Sequence, residues 1–252
     1  MNLRSQREKE SVDYTNIYQN SEQWHQNFAH VFQCPNSLRH EATLKELINH
    51  HVPGKRVLDI GCGYGGSSLD LLQQQASYVH GIDISERFIA SAKSFVQKNR
   101  LDFDLHDISQ PMTGNYDVIF GRAILHHVDY QEVLSRLYRD NLNPGGVMIF
   151  MEPLGSNLLL RLYWQFAKDA HTPDEKPFMR QDLHWLQDQF SQFTFIPINY
   201  FSLLSGILSS KLFRHPDNLL MKISDILDTK LAAISYLCPN YRQAIFVIKK
   251  SN

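Results

Sequence analysis

The chain has 252 residues, of which 43% are hydrophobic and 20% are charged, and its formal net charge is −1. These values are typical of a folded protein with one large α/β domain, and they exclude a disordered chain. The near-balance of charge, without a basic run, leaves a nucleic-acid substrate without electrostatic support.

The three cysteines are scattered along the chain, at Cys34, Cys62 and Cys238. Their odd number and irregular spacing favour a reducing compartment over a disulfide scaffold. The first ten residues are polar and charged, so they do not resemble a signal peptide. We therefore expect a cytoplasmic protein.

Twelve histidines raise the question of a metal site. The chain contains no H-E-x-x-H motif. Two adjacent pairs occur, His50-His51 and His126-His127, and we expect each pair to point its side chains apart on a helix. The sequence therefore predicts no metal.

The N-terminal part, residues 11–52, is predicted to form a helical lid. Aromatic side chains recur at helical spacing within residues 13–32. This stripe either packs on the core or closes over a bound molecule, with His25 near the site. In the second case we expect Tyr14 and Tyr18 to contact the substrate.

A buried strand, Val57–Ile60, runs directly into a glycine-rich turn and the start of a helix. Gly61 and Gly63 allow a sharp turn and a close approach to a ligand, because glycine lacks a Cβ and tolerates positive φ. The helix that opens near Gly65 directs its free N–H groups to the same place. Together with Gly66 the spacing fits G-x-G-x-x-G, which by itself is a weak signal for a dinucleotide.

Asp59 separates the classes of ligand. In a nicotinamide or flavin site this position lies beneath a pyrophosphate, which repels a carboxylate, whereas a cationic ligand is attracted. Val-Leu-Asp-Ile-Gly-Cys-Gly resembles motif I of the class I methyltransferases, which bind S-adenosylmethionine, a sulfonium with an α-amino group. The resemblance implies that Asp59, Gly61, Cys62 and Gly63 hold the methionine end of this cofactor.

The next strand, Tyr78–Ile82, leads to Asp83. Ligands of open α/β sheets lie at the carboxyl ends of the strands, and Asp83 follows Gly61 at about the interval expected of a ribose-binding acid. The resemblance gives Asp83 that role, through its two acceptor oxygens, and places Ile84 against the adenine. Alternatively, Asp83 only caps the helix that starts at Ser85.

An amphipathic helix is predicted from Ser85 to Arg100, with Phe95 and Val96 facing inward, before a short third strand. An acidic residue after this strand accepts the adenine amino group in the resembled family. We therefore expect Asp107 to bind the adenine and Ile108 to add a backbone contact.

The fourth strand, Tyr116–Phe120, leads to Gly121 and Arg122, which we expect beside the cofactor, and then to Ala-Ile-Leu-His-His. Methyl transfer depends on alignment, and an oxygen or nitrogen nucleophile must also lose a proton. The stretch resembles phosphoethanolamine and quinone-biosynthesis methyltransferases, which makes His126 the candidate base, or a residue that positions the acceptor. His127 either contacts the substrate or, with His126, only braces the turn.

Leu-Asn-Pro-Gly-Gly before the fifth strand, Val147–Met151, is typical of the same family and forms a turn. Glu152 ends this strand and either lines the acceptor pocket or anchors the following loop. Residues 154–188 form a cap element on the acceptor side, with a helix at Leu158–Phe166 and a rigid proline-containing loop at His171–Phe178.

Strand six is predicted at Phe193–Phe201 and strand seven at Ala244–Lys249. The intervening residues 202–240 contain apolar helical stretches and form a second cap element. Residues 189–210 lack any charge, but a proline, an asparagine, a glycine and five serines argue against a transmembrane helix. We expect these residues to form an apolar cap over the acceptor site. Contact with a membrane surface is the alternative.

Strands and helices alternate through the first five strands, which predicts a single domain with a doubly wound parallel sheet and a cofactor-binding core at residues 53–152. The resemblance, strong over Arg56–Glu152, implies the Rossmann-like order 3-2-1-4-5-7-6 with strand seven antiparallel. We predict an S-adenosylmethionine-dependent methyltransferase, monomeric or homodimeric, that modifies an oxygen or nitrogen of a small, partly apolar metabolite and releases S-adenosylhomocysteine. An NAD-type oxidoreductase and a non-catalytic cofactor-binding partner protein are the alternatives.

Overall fold

The structure, a computed structural model, describes residues 29–97, 99–157 and 176–252. Its strands are β1 (Arg56–Ile60), β2 (Tyr78–Asp83), β3 (Leu101–Leu105), β4 (Tyr116–Arg122), β5 (Leu142–Pro153), β6 (Phe193–Ile198) and β7 (Gln243–Lys249). Its α-helices are α1 (Ala29–Phe32), α2 (Pro35–His51), α3 (Gly66–Gln73), α4 (Glu86–Ala92), α5 (Tyr130–Arg136), α6 (Arg180–Gln189), α7 (Ser202–Leu212) and α8 (Leu219–Leu231). Short 3₁₀ turns at Lys93–Phe95, Leu125–His127 and Ser235–Asn240, and a π turn at Leu137–Asn141, connect them.

The strands form one sheet in the order β3-β2-β1-β4-β5-β7-β6, which confirms the predicted order. Strands β1 to β5 pair in parallel, and β7 is antiparallel to both of its neighbours. Because β6 and β5 each run against β7, they point the same way. The carboxyl ends of β1 to β6 therefore share one edge of the sheet, which we call the carboxyl edge.

The sheet is buried on both faces, so its central strands are continuous apolar runs. Leu58 and Ile60 of β1 face one core, together with Leu134 of α5 and Leu186 of α6. Val57 of the same strand faces the opposite core, which α2, α3 and α4 cover. This alternation holds β1, and the turn that follows it, rigidly in the middle of the sheet.

The helix predicted from Ser85 to Arg100 is shorter in the structure. Only α4 is α-helical, and the expectation that Phe95 and Val96 face inward is wrong, since they are 44% and 46% exposed. Gln97 forms an antiparallel bridge with Leu101, and Asn99 has a φ of 64°. The chain therefore reverses early, because asparagine tolerates the left-handed conformation that the reversal requires.

Strand β6 also ends before its predicted limit at Phe201. Asn199, the residue after β6, has a φ of 61°, so the backbone leaves the strand and turns into α7. Helix α7 packs on α1 through small residues, and a Cβ at Gly206 would lie 2.7 Å from Val31. Leu204 and Leu208 point outward and are 42% and 49% exposed. The inner side of α7 is therefore small and polar, unlike its overall composition.

Several predictions concern residues outside the described ranges. They are the roles of Tyr14 and Tyr18, the helix at Leu158–Phe166 and the first five residues of the proline-containing loop. Among the helices that the structure describes, none is long and apolar enough to cross a membrane.

Candidate functional site

The turn after β1 has the left-handed backbone that its glycines predict, with φ of 71° at Gly61 and 54° at Gly63. The N–H groups of Gly61 and Cys62 donate to the Ile82 carbonyl at 2.9 and 3.0 Å, which fastens the turn to β2. A Cβ placed on Gly63 would meet nothing within 4 Å. The turn therefore borders open space that a ligand can occupy.

Asp59 lies beneath this turn and is only 1% exposed. One of its carboxylate oxygens accepts hydrogen bonds from the hydroxyls of Ser67 and Ser68, at 2.6 and 2.5 Å. Burial raises the pKa of Asp59 to about 6, although the two serine hydrogen bonds oppose this shift. The sequence analysis missed both serines, whose position in the first turn of α3, next to the glycines, was the available signal.

Asp83 connects the same turn to the end of β2. Its Oδ2 atom accepts the Gly63 N–H at 3.0 Å, and its Oδ1 atom accepts the Ser85 N–H at 2.9 Å. Burial raises the pKa of Asp83 against these hydrogen bonds. Ser85 is itself the cap of α4, since its hydroxyl accepts the Phe88 N–H at 3.3 Å. Each Asp83 oxygen therefore keeps a lone pair for a ligand hydroxyl.

Asp107 lies after β3, which pairs with β2, so it shares the carboxyl edge with Asp83. Its Oδ1 atom accepts the Ser109 N–H at 2.9 Å. Arg136 of α5 donates to the backbone carbonyls of Ile108 and Ser109 and fixes the loop. The carbonyl of Ile108 is thus already engaged by the protein.

The turn after β1 touches the segment after β4 through Ile124. A Cβ on Gly61 would lie 3.1 Å from the Ile124 side chain, and one on Gly121 would lie 2.9 Å from it. Gly121 therefore contributes by allowing close packing. Ala123 lies between Gly121 and Ile124 in the chain and has a φ of 55°. This left-handed conformation costs energy for a residue with a Cβ.

His126 and Glu152 form a buried pair at the carboxyl edge. The Nδ1 atom of His126 lies 2.8 Å from the Oε2 atom of Glu152, and the two residues are 4% and 0% exposed. The Oε1 atom of Glu152 accepts the N–H groups of Ile124 and Leu125, both at 2.9 Å. Of the two roles expected for Glu152, these contacts match the anchoring one. Because a carboxylate only accepts, His126 donates through Nδ1, and its Nε2 atom carries the free lone pair in the neutral ring.

The expectation that adjacent histidines point apart is wrong. The ring centroids of His126 and His127, which lie in a 3₁₀ turn, are 4.0 Å apart. His50 and His51, at the end of α2, have centroids 4.6 Å apart. Among the described residues, no group of three or more His, Cys, Asp or Glu side chains is placed to hold a metal ion.

The other expected cofactor residues occupy different surroundings. Arg122 forms an ion pair with Glu41 of α2, is 48% exposed at its side chain and borders a cavity of about 410 Å³ between α2 and α3. Cys62 is 4% exposed, and burial raises the pKa of its thiol, so the side chain is a neutral, buried thiol. Ile84 is half-buried beside Asp83.

The described end of the proline-containing loop borders the His126 segment. The N–H of Lys176 donates to the His126 carbonyl at 3.0 Å, and the N–H of Phe178 donates to the Pro153 carbonyl at 3.0 Å. These contacts place the loop at the carboxyl edge, beside the end of β5.

A family model described as a methyltransferase domain matches residues 25–195. The chain belongs to this methyltransferase family. Its sheet order and flanking helices are those of the Rossmann-like class I methyltransferases, as the glycine motif predicted.

Curated relatives of this methyltransferase act on small molecules, according to their names. Phosphoethanolamine N-methyltransferase 2 of Caenorhabditis elegans is 27% identical over 146 residues, which are 56% of this chain and 33% of the relative. The ubiquinone biosynthesis O-methyltransferase of Nitrosococcus oceani is 32% identical over 144 residues, which are 50% of this chain and 61% of the relative. The chain thus spans less than two thirds of either relative.

A solved structure with the same fold is phosphoethanolamine N-methyltransferase 2 of Haemonchus contortus, in complex with phosphomonomethylethanolamine and S-adenosylhomocysteine. It has a TM-score of 0.64 and 19% identity, and the comparison covers 100% of this methyltransferase and 61% of that chain. At this identity the likeness concerns the fold. It shows that the fold accommodates this cofactor product.

Proposed function

We propose that this methyltransferase transfers a methyl group from S-adenosylmethionine to an oxygen or nitrogen of a small, partly apolar metabolite, with His126 as general base. The observation that carries the proposal is the His126–Glu152 pair, which lies at the carboxyl edge next to the glycine turn. In this proposal the base follows β4 and the cofactor-binding turn follows β1, and these two strands are neighbours in the sheet.

The residues around the turn fit the chemistry of this cofactor. Gly63 borders open space where any other residue would place a Cβ. Asp83 keeps lone pairs for the two ribose hydroxyls, and Asp107 is placed one strand further along for the adenine amino group. Asp59, a buried acid beneath the turn, favours the positive charge of a sulfonium and an ammonium group. When bound, the cofactor supplies a methyl group whose bonding electrons remain on sulfur.

His126 is oriented for proton transfer by its partner. Glu152 holds the Nδ1–H group at 2.8 Å and stabilises the imidazolium that forms when Nε2 takes a proton from the acceptor. Among the described residues, none donates a hydrogen bond to Nε2. The proton leaves the acceptor oxygen or nitrogen as its lone pair forms the new bond to carbon. Tyr14 and Tyr18 are proposed to contact the acceptor.

Calorimetry with S-adenosylhomocysteine and with NAD separates this proposal from an oxidoreductase. We expect binding of S-adenosylhomocysteine, at least a tenfold loss of affinity in Asp83→Asn, and no change in the matched control Asp188→Asn, which lies exposed on α6. Binding of NAD without binding of S-adenosylhomocysteine would refute the proposal.

Turnover tests the base. Phosphoethanolamine and a catechol are suitable acceptors, because the relatives are named for N- and O-methylation. We expect His126→Asn to keep its affinity for S-adenosylhomocysteine and to lose about 10² to 10⁴-fold in turnover. Normal turnover of this variant on an accepted substrate would show that His126 is not the base. Binding without turnover on any acceptor would favour a non-catalytic partner protein.

A further inference from the structure

Arg242 precedes β7 and lies where three elements meet at the carboxyl edge. Its N–H donates to the Asn199 carbonyl after β6, and its own carbonyl accepts the Leu154 N–H after β5, both at 2.8 Å. Leu154 is two residues from Glu152, so the backbones of Arg242 and of the His126 anchor are separated by about 7 Å along an extended strand. Arg242 therefore lies at the same edge of the sheet as the His126 anchor, at the start of the neighbouring strand.

The guanidinium of Arg242 is a cation without a carboxylate partner among the described residues. Burial lowers its pKa to about 10, so the group stays charged at neutral pH. Its contacts are the Gln243 side-chain oxygen at 3.4 Å and the Phe32 ring, whose centroid lies 5.2 Å away. The Nε atom is buried and has no acceptor. A partly buried cation without a counter-charge carries a desolvation cost, and an anion offsets that cost.

Two acidic residues of α8, Asp228 and Asp225, are already engaged by other groups. The carboxylate of Asp228 accepts hydrogen bonds from the Asn36 side chain and from the N–H groups of Tyr200 and Phe201. Asp225 pairs with Arg39 at 2.7 Å. Neither neutralises Arg242, because no carboxylate oxygen of the described chain lies within 4.0 Å of its guanidinium.

Polar groups around Arg242 are also incompletely satisfied. Four residues that are at most 4% exposed each have a buried polar atom without a hydrogen bond in the described structure: Asn36 Oδ1, His40 Nδ1, Asn199 Oδ1 and Ser202 Oγ. They lie on α2 and at the junction of β6 and α7, on the same side as Arg242. Native proteins rarely leave such groups unpaired unless water or a ligand supplies the partner. Their number in one region indicates a polar binding site.

We infer that Arg242, with the polar residues beside it, binds an oxyanion of the methyl acceptor, either a phosphate or a carboxylate. The inference rests on the proposed function, since it makes this region the acceptor end of the same site. It narrows the substrate class to small acids that also carry a hydroxyl or amino group. A guanidinium suits this task because its N–H groups match the oxygens of a phosphate or carboxylate.

The direct test measures binding of inorganic phosphate and of acetate to the full chain loaded with S-adenosylhomocysteine. Arg242→Gln removes the charge, Arg242→Lys keeps it, and Arg214→Gln changes an exposed arginine as the matched control. We expect at least one anion to bind wild type, a loss of tenfold or more in Arg242→Gln, partial recovery in Arg242→Lys and no change in Arg214→Gln. Equal binding to wild type and Arg242→Gln, or no binding to wild type, overturns the inference.

Matched acceptors extend the test to turnover. Phosphoethanolamine is compared with ethanolamine, and 3,4-dihydroxybenzoate with catechol. We expect Arg242→Gln to raise KM for the charged member of the accepted pair tenfold or more and to leave its neutral partner unchanged. A purely structural arginine would instead lower the melting temperature of the ligand-free variant and affect both members equally. The proposed function is tested separately, because it fails if the wild-type protein does not bind S-adenosylhomocysteine. Arg242→Gln should keep the affinity for S-adenosylhomocysteine within about twofold of wild type.

Discussion

His126 contacts Glu152 through a 2.8 Å hydrogen bond between buried atoms, although 26 residues separate them in the chain. Strand pairing creates this proximity, because Arg122 pairs with Met151 and both strands end together at the carboxyl edge. The same carboxylate holds the N–H groups of the loop that carries the histidine. One side chain thus fixes both the loop and the imidazole.

Glu152→Gln should lower turnover about 100-fold while affinity for S-adenosylhomocysteine changes less than threefold. The amide oxygen can still accept the loop N–H groups, but the negative charge that stabilises a protonated His126 is gone. Single-turnover rates with saturating cofactor measure this loss. Glu41→Gln, which removes the exposed partner of Arg122, is the control. A wild-type rate in Glu152→Gln would show that the pair is only structural.

Alanine at Gly61 and at Gly63 should have different consequences. Both positions have positive φ, so each alanine costs about 1–2 kcal/mol of stability. Only at Gly61 does the new methyl group also approach Ile124, at 3.1 Å. Gly61→Ala should therefore be the less stable variant in urea unfolding. Gly63→Ala should lose more S-adenosylhomocysteine affinity in calorimetry, because its methyl group enters the open space. If Gly61→Ala instead lost more S-adenosylhomocysteine affinity than Gly63→Ala, the ligand would not occupy the open space beside Gly63.

Asp59→Asn should change how stability depends on pH. The pKa of Asp59 is raised from 3.8 to about 6 in the folded state, so between these values the folded protein holds a proton that the unfolded chain has lost. The free energy of unfolding of wild type therefore falls, relative to the variant, as pH rises through this window. Between about pH 4 and pH 7 the difference in stability between the two proteins should therefore shift by about 3 kcal/mol in favour of the variant.

Urea unfolding at several pH values between about 4 and 7 measures this difference for Asp59. The asparagine oxygen can still accept the Ser67 and Ser68 hydroxyls, so the fold should persist. The raised pKa of Asp228 affects wild type and variant alike and cancels in the comparison, whereas Asp83 interacts with Asp59 and contributes to the difference. Parallel stability profiles for the two proteins would show that the carboxyl group titrates normally.

Two aspartates on α8 should differ strongly in their contribution to stability. Asp228 is 1% exposed and accepts three hydrogen bonds that connect α8 to α2 and α7. Asp228→Ala leaves three buried donors unpaired and should cost about 3 kcal/mol or more. Asp225→Ala removes a half-exposed ion pair with Arg39 and should cost less than about 1 kcal/mol. Urea unfolding compares the two, and similar losses would contradict the assigned burial.

The local features of the site were predictable from the sequence. The strand at Val57–Ile60 and the turn at Gly61 and Gly63 follow from an apolar run and from glycine placement. Asp83 was correctly expected at the end of a strand. In these cases neighbouring residues in the chain determine the structure, through backbone conformation and strand periodicity. The order of the seven strands was implied by the resemblance to the class I methyltransferases, and the structure confirms it.

Periodicity and charge patterns failed where a backbone turn or a contact between two elements decides the structure. The helix after Ser85 ends early because Gln97 pairs with Leu101, and periodicity alone does not report such pairing. The uncharged stretch at residues 189–210, which includes most of α7, did not predict which side of this helix faces inward. The structure turns Leu204 outward, because the close approach of α1 selects the small residues of α7 for the inner side. The cap over the acceptor site stays a prediction.

The sequence by itself was sufficient to predict the fold and the family. The features that indicate them, a strand, a glycine turn and an acid after each of the next two strands, each lie within a short segment of the chain. Only the tertiary structure decided which side chain contacts His126, and that Arg242 has no carboxylate partner among the described residues. Both depend on strands that are remote in the chain and adjacent in the sheet. Sheet pairing brings such residues together across one edge, and no local rule of spacing encodes that proximity.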